Sequence, residues 1–470
     1  MKATGHVEEG RKLQSEGCPQ KILVEPGKYA EAPDHGKMAE NNAADTGGQT
    51  DNLMEKILNR NNLNIAYKKV KANKGAGGVD EMQVDELLPY LKQHGDELIQ
   101  QLREGKYKPN PVRRVEIPKE EKGKVRKLGI PTAVDRVIQQ AVAQVLSPLF
   151  EAQFHENSYG FRPNRGAHDA LKQCCQDVEE GYVYVVDMDL EKFFDTVCQS
   201  KLTEVLSRTL KDGSAISLIS KYQSAGVVEK GIFARTDVGV AQGGPLSPLL
   251  SNIMLNELDK ELSRRGHRFV RYADDCMIFC KSKRSAERTL ANIIPFIEEK
   301  LFLKVNREKT VVEHINKVKF LGYRFYRYKG KCRLRVHPKS VEKMKARIRQ
   351  LTSRSNGWGN EFRAMKLAQF IRGWVNYFLM ADMKKLLMKT DEWLRRKIRA
   401  IYWKQWKKIK TRYSMIRKYG LPEWKAQEMA NCRKGIWRAS LMLNSVLTNK
   451  EIASLGFMSM ADYYLKVCVN

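Results

Sequence analysis

Apolar residues at Val134, Val137, Ile138, Ala141, Val142, Val145, Leu146 and Leu149 follow three- and four-residue steps, the stripe of a helix with one face in a core. A looser stripe at Met54, Ile57, Leu58 and Ile65 predicts a helix from about residue 51 that ends in the turn-forming run Lys74-Gly-Ala-Gly-Gly78. That run lacks the Gly-Lys-Ser/Thr ending of a phosphate loop and reads as a flexible connector. The period changes to two at Tyr182–Asp189, an apolar strand ending in acids, and at Phe269–Phe279, two apolar strands around an acidic turn. Arg113 to Lys119 and Arg126 to Pro131 flank a polar turn and predict a hairpin carrying basic side chains. Gly239 to Pro248 leads into a helix through Asn252 to Leu262, and beyond about residue 331 the pattern is long, basic and helical. Residues 1–50 show no periodicity and no apolar signal core, and read as a disordered arm.

The strand period places Val183, Val185, Asp187 and Asp189 on one side, so two acids share a face. Asp274 and Asp275 sit side by side inside an apolar hairpin, where ionised carboxylates are costly unless a positive charge meets them. Clustered carboxylates are hard oxygen ligands suited to Mg²⁺, and paired ions serve phosphoryl transfer in polymerases and nucleases. From the residues alone two plainer readings stay open: Asp187 as a cap or solvent-facing acid, and Asp274-Asp275 as an ordinary turn.

Charge narrows the partner class. The 470 residues hold 84 Lys+Arg against 54 Asp+Glu, a net charge of +30. Such an excess favours a polyanion through phosphate contacts and counterion release. From Lys331 onward there are 32 Lys+Arg and 9 Asp+Glu, so 23 of the 30 excess charges lie there, with all seven Trp. No stretch is apolar enough to span a bilayer, which sets a membrane partner aside. Nine irregularly spaced Cys form neither a disulfide framework nor a zinc pattern and fit a reducing cytosol; Cys276 and Cys280 read as buried strand residues.

Several ordered motifs carry a resemblance. Tyr272-Ala-Asp-Asp275 resembles the Tyr-x-Asp-Asp motif of reverse transcriptases, and Asp189-Leu-Glu-Lys-Phe-Phe-Asp195 resembles their first metal-binding motif. Between them, Gly239-Val-Ala-Gln-Gly-Gly-Pro-Leu-Ser-Pro248 with Asn252 resembles the motif beside the nascent pair in group II intron enzymes. Ile117-Pro-Lys119, Arg126, Leu128-Gly-Ile-Pro131, Asp135-Arg136, Ser158 to Pro163, Asn306 to Thr310 and Phe320 to Tyr323 continue the match in the family's order over roughly residues 55–330. The chain is similar to group II intron-encoded reverse transcriptase/maturases of the bacterial type. Ala241 stands where the family usually has Pro, Phe302 replaces a frequent Gly, and the spacing from Lys119 to Arg126 is one residue longer than in close relatives.

That resemblance implies an α+β, right-hand polymerase fold with fingers, palm and thumb around a palm β-sheet, followed by an all-α basic C-terminal region. Its expected divisions are 1–50 arm, 51–330 fingers and palm, 331–400 maturase thumb and 401–470 DNA-binding region. It implies two Mg²⁺ ions on Asp189, Asp274 and Asp275 as catalytic ligands, with the backbone carbonyl of Leu190 assisting and Asp187 adjacent. Lys119 and Arg126 are expected to clamp the incoming deoxynucleoside triphosphate, Gln242 to contact nucleotide or template, and Phe194 to exclude a ribose 2′-hydroxyl, with a purely structural packing role as its alternative. Expected nucleic-acid contacts are Arg113, Arg114, Arg162, Arg372, Arg395, Arg396, Lys404, Lys407 and Lys408. Implied partners are group II intron RNA, a DNA target and a primer strand, in a bacterial cytoplasm, with a homodimer left open. With no His after His337 and only Cys432 and Cys468 beyond Cys332, the His/Cys nuclease domain of some relatives is expected to be absent. A reverse transcriptase detached from any intron and a non-enzymatic splicing factor are the alternatives.

Overall fold

The computed structural model describes residues 52–118, 125–240 and 242–469; the arm expected at 1–50 lies outside them. The first predicted helix is two helices, Leu53–Leu58 and Arg60–Asn73, split at Asn59, whose side chain accepts from the Asn61 N–H at 2.9 Å and caps the second. The glycine run after it is a fitted turn rather than a slack connector. A Cβ on Gly78 would lie 2.6 Å from Thr132 Cα, and Arg113 Nη2 donates to the Gly77 carbonyl at 2.7 Å. The strongly striped segment is the helix Ala133–Glu151, opened by Thr132, whose hydroxyl accepts from the Asp135 N–H.

Three sheets form. Strands β1 (Val112–Pro118) and β2 (Val125–Ile130) are the basic hairpin, extended by β4 (Val227–Glu229), parallel to β1, and β5 (Ile232–Ala234). A second, antiparallel sheet has the order β6 (Arg268–Tyr272), β7 (Asp275–Cys280), β3 (Tyr184–Met188), β8 (Val311–His314). A third is the antiparallel set β9 (Lys319–Phe320), β10 (Tyr323–Tyr328) and β11 (Lys331–Val336).

The second sheet separates two hydrophobic cores, and the strand period decides which residues face each. Val186, Met188, Leu190, Cys276, Ile278 and Cys280 pack into one core with the helices Ala133–Glu151 and Ser247–Arg264. Val185, Val270, Met277 and Phe279 point to the other. That second core continues without a break through Phe325 and Leu334 into the C-terminal helices, where Leu367, Ile371, Ile398 and Trp403 are buried. Helices Pro338–Leu351, Asn360–Tyr377 and Lys384–Gln405 build the basic half, followed by five shorter ones. Trp403 and Trp406 are core, whereas Trp424 and Trp437 are exposed.

Candidate active site

The two acidic sequences meet on the sheet. Met188 pairs with Cys276 and Asp187 with Met277, which brings the end of β3 beside the β6–β7 hairpin. Tyr272 pairs with Asp275, leaving Ala273 and Asp274 as the two turn residues; Ala273 takes φ +56°, the left-handed backbone of a tight hairpin turn. Asp187 and Asp275 have the parity of Val185, Met277 and Phe279, so they share one face of the sheet with Asp189.

A buried ionic network braces that turn. Arg271 and Asp259 are fully buried, and the Arg271 guanidinium donates Nε to Asp259 Oδ1 at 2.7 Å and Nη2 to Oδ2 at 2.5 Å. Its Nη1 donates to Asn252 Oδ1 at 3.0 Å and to the Ala273 carbonyl at 2.9 Å, inside the acidic turn. Asn252 in turn donates to the Gly160 carbonyl at 2.8 Å, and a Cβ on Gly160 would lie 2.2 Å from Ala273 N. The bidentate geometry satisfies both buried charges and fixes the turn from behind.

Asp189 is held from the other side. The Asn306 N–H and the Glu191 N–H form a short ladder with the Asp189 and Lys304 carbonyls at 2.9 and 2.8 Å. Leu190 pairs opposite Val305 between those two bonds, so its own carbonyl lies on the opposite edge from the Asp189 carbonyl. Asn306 Nδ2 donates to Asp189 Oδ2 at 2.9 Å, and Lys309 Nζ reaches the same oxygen at 3.4 Å.

Like charge dominates the site. The carboxyl of Asp275 is pushed up to about 7, first by burial and then by Asp274, Asp187 and Asp189. Asp187 rises to about 6 through burial and the Asp189 charge. Asp274 is raised chiefly by burial, with Arg126 pulling the other way. Asp274 and Asp275 are open to solvent. Among the described residues, no three acidic, His or Cys side chains converge closely enough to enclose an ion as they stand. The donor chemistry nevertheless fits a hard divalent cation: oxygen ligands, mutually repelling, with solvent access on one side.

Arg126 is exposed on β2, and its charge pulls the Asp274 carboxyl downward. Lys119 lies outside the described residues. Gln242 is tied to β2 by its carbonyl, which accepts from the Gly129 N–H at 2.6 Å. Phe193 is core, while Phe194 is half-buried, with the two rings edge-to-face at 5.4 Å. Behind Phe194, the Val240 N–H donates to its carbonyl at 2.7 Å, and Gly239 at φ +95° leaves room for that approach.

The expected nucleic-acid contacts divide. Arg372, Lys404, Lys407 and Lys408 are exposed, and Arg395 is half-buried. Arg114 lies near Asp195 and Glu229 at 3.5 and 3.8 Å, and Arg113 holds Gly77. Arg162, expected at a nucleic-acid surface, is instead buried: its guanidinium is spent on Glu151 and on the His155 and Ser158 carbonyls. Arg396 stacks on Trp437 at 4.0 Å and donates to its carbonyl at 3.0 Å. The pattern of single motifs does not reveal the Arg271–Asp259 brace. Its signal was present as an Arg in an apolar strand and an Asp between Leu258 and Leu262 on a helix, charges that can be buried only as a pair.

The chain is similar to known proteins over more than half of its length. The family described as reverse transcriptase (RNA-dependent DNA polymerase) matches residues 117–325, and the group II intron maturase-specific domain matches residues 341–420. Protein YkfC of Escherichia coli is 33% identical over 336 residues, 63% of this chain and 88% of that protein. The group II intron-encoded protein LtrA of Lactococcus lactis is 31% identical over 326 residues, covering 55% of this chain and 54% of LtrA. A chain of a partial Cas6-RT-Cas1–Cas2 complex aligns over 53% of this chain and 43% of its own at 23% identity, with a TM-score of 0.34. With the acidic turn, the strand-end Asp and the maturase segment in one chain, the protein belongs to the reverse transcriptase family, in the branch that carries the group II intron maturase domain.

Proposed function

We propose that the protein copies group II intron RNA into DNA during retrohoming and, as a maturase, helps that RNA to splice. The observation that carries this reading is the set of repelling carboxylates, Asp187, Asp189 and Asp275 on one sheet face and Asp274 in the adjoining turn, braced by Arg271 behind and by Asn306 beside. Polymerases of this family are metal-dependent. Asp189, Asp274 and Asp275 would hold the divalent ions, in this reading two Mg²⁺, with the Leu190 carbonyl assisting. Bound there, the ions supply activation of the attacking 3′-oxygen and stabilisation of the leaving phosphate.

The chain's own residues do the rest. Arg126, with Lys119, orients the triphosphate, for which a guanidinium fork and a compact ammonium are suited. Phe194 closes the sugar pocket against a 2′-hydroxyl. Gln242, anchored through its carbonyl to β2, contacts the nucleotide or template. Asp187, raised by burial and by the Asp189 charge, adds negative field without being a ligand. In this reading residues 51–330 are fingers and palm, 331–400 the maturase thumb and 401–470 the DNA-binding region, and Arg113, Arg114, Arg372, Arg395, Lys404, Lys407 and Lys408 meet phosphates. Among the described residues, no helix is long and apolar enough to cross a membrane.

Two assays test the proposal. Extension of a DNA primer on an RNA template should stop when EDTA removes divalent ions and return when Mg²⁺ is restored; extension that survives EDTA excludes the metal-dependent polymerase. Splicing of a group II intron RNA at low Mg²⁺ should accelerate when the protein is added, and an unchanged splicing rate excludes the maturase activity.

A further inference from the structure

Away from the acidic sheet face, two cysteines distant in sequence approach each other. Cys175 lies on the helix Ala167–Glu179, one turn before Glu179 on the same face, and Cys332 lies on β11; both are free thiols. Both line a cavity of about 540 Å³ whose other walls include Lys172, Glu179, Arg333 and Asp382. The Cys332 N–H donates to Glu179 Oε1 at 2.9 Å, so the backbone and the thiol of one strand residue address the same helix. Neither cysteine is sealed in the core, unlike the neighbouring Cys174, which is fully buried.

We propose that Cys175 and Cys332 are a reversible redox pair, oxidised by a small-molecule disulfide to an intrachain disulfide that staples the helix Ala167–Glu179 to the β10–β11 hairpin. The first step is attack by the Cys332 thiolate on the small disulfide, forming a mixed disulfide and releasing one small thiolate. Cys175 then gives up its proton and attacks the Cys332 sulfur, expelling the second small thiolate. Two protein thiols are oxidised, and one small disulfide is reduced to two thiols. The order follows from the surroundings: the neighbouring Cys175 thiol holds the Cys332 thiol below its ordinary value, with Arg327 assisting, while Cys175 is pushed up. The cavity admits the attacking reagent, and its charged rim suits a polar one such as oxidised glutathione.

The staple has a structural consequence. Tyr326 and Arg333 of the hairpin both bond to Asp382, and the Asp382 N–H donates to the Leu334 carbonyl at 2.8 Å. Oxidation therefore links the helix beside the acidic sheet to the segment that opens the basic helical half.

The test is incubation of the full chain with oxidised glutathione, then alkylation of remaining thiols and peptide mapping. The expected result is a Cys175–Cys332 linked peptide, a loss of two titratable thiols and a higher thermal unfolding midpoint, all reversed by a thiol reductant. Cys175→Ser and Cys332→Ser should each abolish the link and the midpoint shift, while Cys174→Ala keeps both. Mapping of the unmodified chain decides the matter even if a variant folds poorly. A link to Cys174, a glutathione adduct stalled on Cys332, or no loss of thiol overturns the proposal.

Discussion

The acidic sheet and the basic helical half treat charge in opposite ways. Around the sheet, cations are consumed in fixed geometry: Arg271 is locked on Asp259, Arg162 on Glu151 and Arg268 on Asp177, while the carboxylates at the strand ends are left to repel one another. In the helical half, 32 basic residues meet 9 acids, so most cannot be neutralised within it, and Arg372, Lys407 and Lys408 stand in solvent. The first arrangement stores a local electrostatic conflict that a bound cation relieves. The second presents a diffuse positive surface whose attraction to phosphates is additive and salt-sensitive. Position matters in one region and number in the other.

Four sets of substitutions probe that contrast. Arg271→Met leaves Asp259 buried without its partner and should cost about 3–5 kcal/mol in folding stability, read as a shift in the denaturant midpoint. The double variant Arg271→Met/Asp259→Leu should regain much of that stability while primer extension stays low, because the bond to the Ala273 carbonyl is still missing. Full extension in the double variant would separate the brace from catalysis.

Asn306→Ala removes the amide that orients Asp189 Oδ2 and should lower extension by about 10–100-fold with little change in nucleic-acid affinity, as expected for a partner of a metal ligand. An equal loss in affinity would assign Asn306 to binding instead. A smaller effect, and one of selectivity, is expected from Phe194→Ala. Ribonucleotide incorporation should rise relative to deoxyribonucleotide, whereas Phe193→Ala, in the core, should lower stability without that change. Unchanged sugar discrimination in Phe194→Ala makes the ring a packing element. The smallest change belongs to Arg372→Ala, Lys407→Ala and Lys408→Ala. Each should weaken RNA or DNA binding modestly and flatten the dependence of log affinity on log salt by about 0.7–0.9 for every phosphate no longer neutralised. A collapse of binding from any one of them would show that position governs there as well.

Much of this arrangement was legible in the sequence where local rules act alone. Strand periodicity put Asp187 and Asp189 on one face, the hairpin around Asp274 follows from its apolar flanks, and the stripe from Val134 to Leu149 is a buried helix face. What escaped depends on partners distant along the chain. Local pattern marks Arg271 and Asp259 as charges in apolar surroundings but does not join them to each other, and nothing local tells that Arg162 turns inward to Glu151 rather than out to solvent. The glycine run at 75–78 reads as a loose connector because the surface it fits, at Thr132 and Arg113, lies elsewhere in the chain. Periodicity also ran through Asn59, where a side-chain cap breaks one expected helix into two.

The most direct measurement is single-turnover extension of a DNA primer on an RNA template in Mg²⁺, comparing the unmodified chain with Asp274→Ala/Asp275→Ala while RNA binding is followed in parallel. If the carboxylates on the sheet face form the catalytic metal site, the unmodified chain extends the primer and the double variant binds RNA with similar affinity but does not extend. Extension by the double variant at a comparable rate would contradict that assignment.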